Sequence, residues 1–499
     1  MSTSPHDTYT SPLASRNASP EMLRIWSPRH KFTTWRRIWL AVAEAQQACG
    51  LEITDEQIAQ MRAHVEVTDE DMERAAQYEK DLRHDVMAHV HAYGDAAPAA
   101  KAIIHLGCTS QDVVCNADIL CLDDAIALVL AKLARAVSSL GGFAASTART
   151  PCLAFTHYQA AQPTTMGRRA VHWAHDLAIC RSRIADEVDG ARHIQLRGLR
   201  GATGTEASFL SLFQGDSGKV DEFQRRFHER LGRFGGAGTH VYGEYDIVGQ
   251  TYPRVVDTFV LSDLASIASV LHKVATDIRL LSNRKELDEP FGAKQIGSSA
   301  MPYKRNPMKC ERICGLTRFV MNLVGNAYDT AATQWLERTL DDSSNRRLSL
   351  PEAFLALDGA LDLMHQVASG LVVHEAMVRR NLMAELPFLA TENILMECVK
   401  AGADRQEYHE KIRVHAQAAG MRVKQEGLDN DLLDRLKNDP AFHTPALSRE
   451  LDWEGLMDPM QYVGRSVEQT ERFLKEVVEP LRERYASELE ALGDSDRGV

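Results

Sequence analysis

The chain has 499 residues, of which 44% are apolar and 25% are charged, a balance that is typical of globular proteins and excludes wholesale disorder. Its formal net charge of −12 argues against a general nucleic-acid-binding protein, which needs net positive charge. The nine cysteines include no CxxC pair, so they indicate reduced thiols rather than a disulfide framework or a zinc site.

The N-terminal segment is polar and has no basic region followed by an apolar core, so it predicts no signal peptide. The most apolar long segment, residues 119–140, contains four charged side chains and is not expected to span a membrane. The sequence therefore predicts a soluble, cytoplasmic protein.

Helical periodicity dominates the chain. Phe32, Trp35, Trp39 and Val42 recur at helical spacing, and Gly50 follows as a stop signal. Long helices are predicted over four further segments, and their apolar stripes favour nearly parallel packing in a bundle. These segments are residues 118–141, 256–278, 308–331 and 348–371. Strand patterns are scarce, so the predicted fold class is all-α.

Gly, Pro and Ser cluster in four segments that interrupt the helices: 94–110, 148–167, 197–208 and 286–307. The last is the longest, and a loop of this length between long helices usually has a function. Asn306 followed by Pro307 predicts an N-cap and a first helical residue, whose free N–H groups would favour an anion nearby. Lys304, Arg305 and Arg312 add positive charge. A solvated basic turn is the alternative interpretation.

The string GSSAMPYKRNP at 297–307 resembles the signature loop of the fumarase/aspartase superfamily, and its Tyr-Lys-Arg form resembles the adenylosuccinate lyase family. Further similar blocks follow one another over residues 9–480. They include LRHDVMAHVHAYG at 82–94, HLGCTSQDV at 105–113, FTHYQAAQPTT at 155–165, GQTYPR at 249–254 and QWLERTLDDSSNRR at 334–347.

The resemblance implies three helical domains, at residues 1–110, 111–373 and 374–499, with the signature loop at 290–307. In the family, long helices from four chains form one central bundle, and each active site draws on three subunits. The expected assembly is a homotetramer with shared active sites. No metal or organic cofactor, nucleic acid or membrane partner is implied.

Removing fumarate from a secondary amine requires a base that takes a proton beside a carboxylate and an acid that protonates the departing nitrogen. By resemblance, Ser298 is the base and His157 the acid. Cations and N–H donors must stabilise the charge that develops, because a serine hydroxyl is otherwise a poor base. A turn serine and a structural histidine are the alternative interpretations.

The remaining expected site residues bind substrate. By resemblance, Arg16 meets the phosphate, Thr109 and Ser110 hold a succinyl carboxylate, and Lys304 supports the developing charge. The full predicted binding set is Arg16, Asn17, Arg83, His84, Asp85, Thr109, Ser110, Gln250, Lys304, Arg312, Arg338, Ser343 and Arg347. Asp341 and Asp342 are expected to orient neighbouring arginines rather than to bind a metal.

Three positions depart from the family pattern. Asn17 stands where tyrosine is common, which removes or replaces a phenolic phosphate contact. Cys115 replaces a frequent aspartate, and Ala160 replaces a usual proline after the catalytic histidine block. None alters the expected acid or base, so we expect activity with altered affinity at most.

The resemblance implies cleavage of adenylosuccinate to AMP and fumarate, and of the succinylated ribotide SAICAR to AICAR in purine biosynthesis. A lyase of the argininosuccinate type is one alternative, although Tyr303 and Arg305 argue against it. A crystallin-like structural protein without catalysis is the other, and the presence of His157 and Ser298 argues against it.

Overall fold

The computed structural model describes residues 5–185, 194–232, 243–292 and 294–493. Helices dominate, which confirms the all-α prediction. The shorter helices of the N-terminal part are α1 Pro20–Ile25, α2 Pro28–Ala48, α3 Asp55–Ala63, α4 Asp69–Leu82 and α5 Asp85–Ala96. The long helices and those between them are α6 Ser110–Ser146, α7 Met166–Ala185, α8 Ala207–Leu212, α9 Ser217–Leu231, α10 Val255–Asn283, α11 Met308–Ala332 and α12 Asp341–Ser369.

The C-terminal part consists of shorter helices again. They are α13 Glu375–Leu389, α14 Thr391–Lys400, α15 Arg405–Met421, α16 Leu432–Asn438, α17 Leu447–Glu450, α18 Ser466–Phe473, α19 Glu479–Arg484 and α20 Ala486–Leu492. In the part of the chain that the structure describes, four short strands accompany the helices as two antiparallel pairs. They are β1 Pro151–Thr156 with β2 Gln159–Thr165, and β3 Leu287–Asp288 with β4 Val372–Val373.

The long helices lie where the sequence predicted them, but some begin or end at other residues than predicted. α12 begins at Asp341, seven residues before the predicted start at 348. Asp341 and Asp342 in its first turn suit the positive end of the helix dipole. The predicted start was late because residues 341–347 are polar or charged and extend the helix without adding to its apolar stripe; Pro351, which lacks an N–H group, is accommodated inside the helix.

The segment 148–167 was expected to interrupt the helices and proves to hold a β-hairpin, β1–β2. The segment 286–307 is largely irregular, as predicted, apart from the two residues of β3. Ala293 within it lies outside the described residues.

The chain groups into two compact units whose boundaries fall within α6, α7, α10, α11 and α12. The first unit comprises Met1–Leu133, Ile179–His272 and Arg312–Asp362, and the second comprises Ala134–Ala178, Lys273–Glu311 and Leu363–Val499. The division into three domains at residues 110 and 373 stays a prediction.

Each unit has its own apolar core. In the first, Trp35 and Trp39 of α2 are almost fully buried against residues of α5 and α9, including Tyr93 and Phe223. This is the apolar face of α2 that the spacing predicted, and Gly50 just beyond it adopts φ +92°. In the second unit, α13–α17 enclose Ile394, Leu432 and neighbouring residues.

Among the described residues one helix, α10, is long and apolar enough to cross a membrane by length and composition alone. Half of its most apolar stretch is buried within the protein, and buried core helices pass the same test. It is not the segment 119–140 that the sequence singled out as most apolar.

Candidate functional site

A polar cavity of about 220 Å³ lies within the first unit, between the start of α5, the start of α6, the segment before α10 and the start of α12. Seven of the predicted binding residues line it. They are His84, Asp85, Ser110, Gln250, Arg338, Ser343 and Arg347. The sequence spreads these residues over some 260 positions, and the fold brings them to one cavity.

His84 enters the cavity from the junction of α4 and α5. Arg83 ends α4 in the left-handed conformation, with φ 54°, and this sharp reversal lets His84 act as the N-cap of α5. The His84 Nδ1 atom accepts a hydrogen bond from the Met87 amide at 3.3 Å. Its Nε2 atom lies 3.4 Å from the Ser110 hydroxyl oxygen. The imidazole is thereby oriented with Nε2 toward the first residue of α6.

Asp85 and Arg347 form an ion pair at the mouth of the cavity, with Nη2 and Oδ2 2.9 Å apart. Burial raises the pKa of Asp85, but the Val86 amide and the Arg347 guanidinium outweigh it, so the pKa of this carboxyl is lowered. Asp85 is therefore a carboxylate that holds Arg347 in position. Arg347 remains half-exposed and has donors left for an anion.

Asp342, which also lines the cavity, binds two arginines. Arg338 Nη1 donates to both of its carboxylate oxygens at 2.8 Å, and Arg254 Nε donates to one at 2.8 Å. Asp342 therefore orients arginines as predicted, whereas the same role for Asp341 stays a prediction. Arg254 is almost completely buried, and its Nη1 has no hydrogen-bond partner within the described part of the chain. A buried donor without a partner is costly, so this atom calls for an acceptor in the cavity.

The start of α6 is fixed by the buried Asp112. Its carboxylate accepts from the Thr109 amide at 2.8 Å, from the Gly201 amide at 3.0 Å and from the Arg197 guanidinium. Thr109 itself does not line the cavity but carries Ser110 into it. The Asp112 contacts therefore position Ser110 and tie the irregular segment around residue 200 to α6.

Gln250 is held by backbone contacts on both sides. Its amide N–H donates to the Glu337 carbonyl at 2.9 Å, and its side-chain nitrogen donates to the Ala202 carbonyl at 3.0 Å. The side-chain oxygen of Gln250 is left to meet a ligand.

The sequence did not single out Lys31, Arg254 or Arg346, which also line the cavity. Lys31 Nζ lies 5.0 Å from the centre of the Trp35 ring, and burial is the main cause that lowers the pKa of Lys31. Arg346 Nε donates to Asp257 at 2.6 Å from within the core. The available signals were weak: Lys31 adjoins the apolar stripe of α2, and Arg346 precedes the predicted Arg347.

Arg16 and Arg312 belong to the first unit but do not line the cavity. Burial lowers the pKa of Arg312, and the positive charge of Arg16 lowers it further, so the two guanidinium groups lie near each other. Two such groups side by side favour an anion between them. Asn17 donates its side-chain N–H to the Pro12 carbonyl at 2.8 Å, so it shapes the turn that carries Arg16.

His157 lies in the second unit, at the tip of the β1–β2 hairpin. It forms a two-residue turn with Tyr158, and both have positive φ values, 52° and 58°. This geometry matches a type I′ turn, which Asn-Gly usually fills, so the turn costs energy with these two residues. The imidazole of His157 is exposed. The strained turn presents it outward from the unit.

Ser298 lies in the irregular segment of the second unit. Its Oγ atom accepts hydrogen bonds from the Met301 amide at 3.1 Å and from the Ala300 amide at 3.4 Å. Hydrogen bonds donated to a hydroxyl oxygen favour its deprotonated form. The backbone amides of the loop can therefore stabilise an oxyanion at Ser298 even without a bound substrate.

The loop around Ser298 closes on itself. A Cβ atom on Gly297 would lie 2.1 Å from the Lys304 carbonyl oxygen, so this close approach requires glycine. Asn306 Nδ2 donates to the Gly297 carbonyl at 2.7 Å. Lys304 is exposed on the loop that these contacts close.

Asn306 is therefore not the helix N-cap that the sequence predicted. α11 begins at Met308, two residues later than Asn306, and its first turn is capped from outside. The nearly buried Glu289 accepts from the Lys309 and Cys310 amides, both at 2.9 Å. Burial raises the pKa of Glu289, and these two amides oppose that rise. The helix terminus expected to attract a ligand anion is already occupied by this carboxyl group.

Cys115, which stands where the family often has aspartate, is buried beside the cavity. Its Sγ lies 3.1 Å from the Gln111 side-chain oxygen and 3.9 Å from Arg254 Nη2. A carboxylate here would give Arg254 a second anionic partner, whereas the thiol leaves Asp342 as its one carboxylate partner among the described residues.

Two family profiles match the chain: the one described as Lyase over residues 15–322, and the one described as Adenylosuccinate lyase C-terminus over residues 387–473. Adenylosuccinate lyase of Schizosaccharomyces pombe is 48% identical over 474 residues, 95% of each chain. Adenylosuccinate lyase of Saccharomyces cerevisiae is 47% identical over the same length and coverage. The crystal structure of 3-carboxy-cis,cis-muconate lactonizing enzyme from Pseudomonas putida has a TM-score of 0.78 at 24% identity, covering 95% of this chain and 99% of that chain, which shows a shared fold alone.

Proposed function

Because the chain belongs to the adenylosuccinate lyase family, we propose that it cleaves adenylosuccinate to AMP and fumarate, and SAICAR to AICAR and fumarate. It is a carbon–nitrogen lyase whose substrates are small anions. The observation that carries the proposal is the 48% identity to the Schizosaccharomyces pombe enzyme along nearly the whole of both chains. The cavity in the first unit, with its several arginines, supports it chemically.

The substrate carries a phosphate and two succinyl carboxylates, so its site must supply several cations. We assign the phosphate to Arg16, Arg312, Ser343 and Arg347, and the succinyl carboxylates to Thr109, Ser110 and Gln250. The polar surface of the cavity also includes His84, Arg338 and Arg254, the last of which the sequence did not single out. Charge-assisted hydrogen bonds of this kind are the strong ones in such sites.

In the elimination, Ser298 takes the proton from the carbon next to the succinyl carboxylate, and the electron pair remains as a carbanion stabilised by that carboxylate. Lys304 supports the developing charge. The electron pair then forms the C=C bond of fumarate as the C–N bond breaks, and His157 gives a proton to the departing nitrogen. Only protons move and one C–N bond breaks, so the step calls for no redox cofactor.

Fumarate release from a small panel of succinyl compounds tests the function. We expect turnover of adenylosuccinate and SAICAR, and none of argininosuccinate. Turnover of argininosuccinate alone would contradict the substrate assignment, and no turnover of any compound by folded protein would favour the crystallin-like alternative.

Replacing Arg347 with glutamine removes one of the proposed phosphate contacts. We expect KM to rise by about 10- to 100-fold, since a charge-assisted hydrogen bond is worth about 1.5–3 kcal/mol. The effect on kcat should be smaller, because the phosphate lies away from the reacting bond. Steady-state kinetics measure both constants. Arg225→Gln removes a surface arginine that pairs with Glu222 and Glu229 on α9, and it should change neither.

We further propose a homotetramer whose active sites draw on more than one subunit. Large apolar side chains on the long helices remain exposed in the single chain, namely Phe259 at 38%, Phe319 at 39%, Tyr328 at 56% and Leu348 at 62%. Exposed apolar surface of this kind favours association. The three-domain division belongs to the same proposal, as does a cytoplasmic location.

Mixing two inactive variants tests the shared sites. His157→Asn and Ser298→Ala chains that exchange subunits should form some sites with neither lesion, so activity should return in part. The measurement is fumarate release before and after mild dissociation and reassembly. Each variant treated alone serves as the control. Mixtures that reassemble without regaining activity would contradict shared sites.

A further inference from the structure

A second and larger cavity, of about 570 Å³, lies within the second unit. It is bounded by the β1–β2 hairpin, the first half of α7, the last part of α10 and the start of α18. Its volume is within the range typical of small-molecule sites. None of the described residues that line it belongs to the catalytic or binding set assigned above.

The lining of this cavity is positively charged, in contrast to the chain as a whole with its net charge of −12. The described lining residues include four cationic side chains and a single carboxylate, that of Asp277. The cations are Arg168, Arg169, Lys273 and Arg284. A concentration of cations in a low-dielectric cleft raises the local concentration of anions. The charge balance therefore favours an anionic occupant.

The single carboxylate is already engaged. Asp277 Oδ2 accepts from Trp173 Nε1 at 2.8 Å and from Lys273 Nζ at 2.8 Å. Arg284 pairs through Nε with the buried Glu286 at 3.0 Å. Arg168 and Arg169 have no carboxylate within ion-pairing distance in the described ranges. Their charges are left for a ligand or solvent to balance.

The available donors converge from two helices. Arg168 Nε donates to Gln469 Oε1 at 2.6 Å, which fixes the guanidinium and leaves both terminal nitrogens without a partner among the described residues. His172 lies one turn further along α7 on the same face. Burial lowers the pKa of His172, and the neighbouring positive charge of Lys273 lowers it further, so these groups are close together.

One wall of the cavity is aromatic. The Phe155 and Tyr158 rings have centroids 5.7 Å apart, and the Arg284 guanidinium lies 4.7 Å from the centre of the Phe155 ring. Tyr158 is half-exposed, so its ring can stack on a planar group. Cations at one side and an aromatic surface at the other suit a phosphorylated compound with a ring system.

We infer that this cavity is a second anion site, which binds a phosphate ester of nucleotide size through Arg168, His172 and Lys273. The inference does not depend on which substrate the enzyme cleaves. It assigns each protomer a place for a nucleotide besides the cavity of the first unit.

Calorimetric titration of the assembled protein with AMP, and separately with adenosine, tests this site. The variant is His172→Gln combined with Lys273→Gln, which removes two donors and leaves the half-buried Arg168, Arg169 and Arg284 in place. We expect the wild type to bind two AMP per protomer, and the variant to lose at least about tenfold in affinity for one of them. Adenosine, which lacks the phosphate, should not bind at this site.

Arg149→Gln is the matched control, because Arg149 is exposed and pairs at 3.7 Å with Glu471, and neither residue lines the cavity. It should bind AMP like the wild type. Fumarate release is measured in parallel, so that failure of the proposed reaction is seen separately. If thermal unfolding shows the double variant to be unstable, the titration is repeated with His172→Gln alone. That side chain is exposed, so its replacement should not affect folding. One AMP per protomer in the wild type, or unchanged AMP binding in a folded variant, would overturn the inference.

Discussion

Ser298→Ala is expected to lower kcat by about 10²- to 10⁴-fold, the range that a positioned general base contributes. The hydroxyl oxygen accepts from the Ala300 and Met301 amides, and these donors can stabilise it as an oxyanion. Alanine leaves the backbone of the loop unchanged but removes the atom that we propose takes the proton. KM should change little, because the assigned substrate contacts lie elsewhere.

The adjacent Ser299 provides the matched control for this prediction. It lies in the same loop and is exposed, and its hydroxyl makes no hydrogen bond to the described residues. Ser299→Ala should therefore retain most of the activity. Single-turnover measurements with saturating substrate separate the chemical step from binding. Normal turnover by Ser298→Ala would remove this residue from the mechanism, and equal losses in both variants would indicate damage to the loop.

The sequence predicted the long helices because their periodic apolar stripes are a local signal. It also predicted the irregular segment before α11 from its Gly, Ser and Pro content. It missed the β1–β2 hairpin, since the turn residues His157 and Tyr158 are not those that usually fill a two-residue turn. Local patterns thus locate elements whose residues follow the common preferences and fail where the turn is strained.

Tertiary contacts explain the other differences. Asn306 and Pro307 have the local pattern of a helix start, yet the cap of α11 comes from Glu289, some twenty positions earlier. The unpartnered nitrogen of Arg254 has no signature in the sequence either, because it depends on the burial of that side chain. Seven of the residues predicted from motif resemblance line one cavity. The residues that orient them could be identified only from the fold.

His157→Asn is expected to lower kcat by about 10²- to 10⁴-fold, because the departing nitrogen then lacks the proton donor that we propose. Asparagine is the informative substitution here. It tolerates the left-handed backbone conformation that residue 157 adopts, so the hairpin should keep its shape. Steady-state kinetics measure kcat and KM of the variant.

Tyr158→Gly supplies the control, since it relaxes the second position of the same turn while it keeps the imidazole. Glycine adopts the φ of 58° found there without strain, so the hairpin should be at least as stable. Its turnover of substrate should therefore stay within an order of magnitude of the wild type.

Added imidazole should restore part of the activity of His157→Asn and none of that of Ser298→Ala, because a free imidazole can donate a proton but cannot replace the serine oxyanion. If His157→Asn were fully active, the acid would have to be another group, and His84, whose Nε2 faces Ser110 in the cavity of the first unit, would be the next residue to replace.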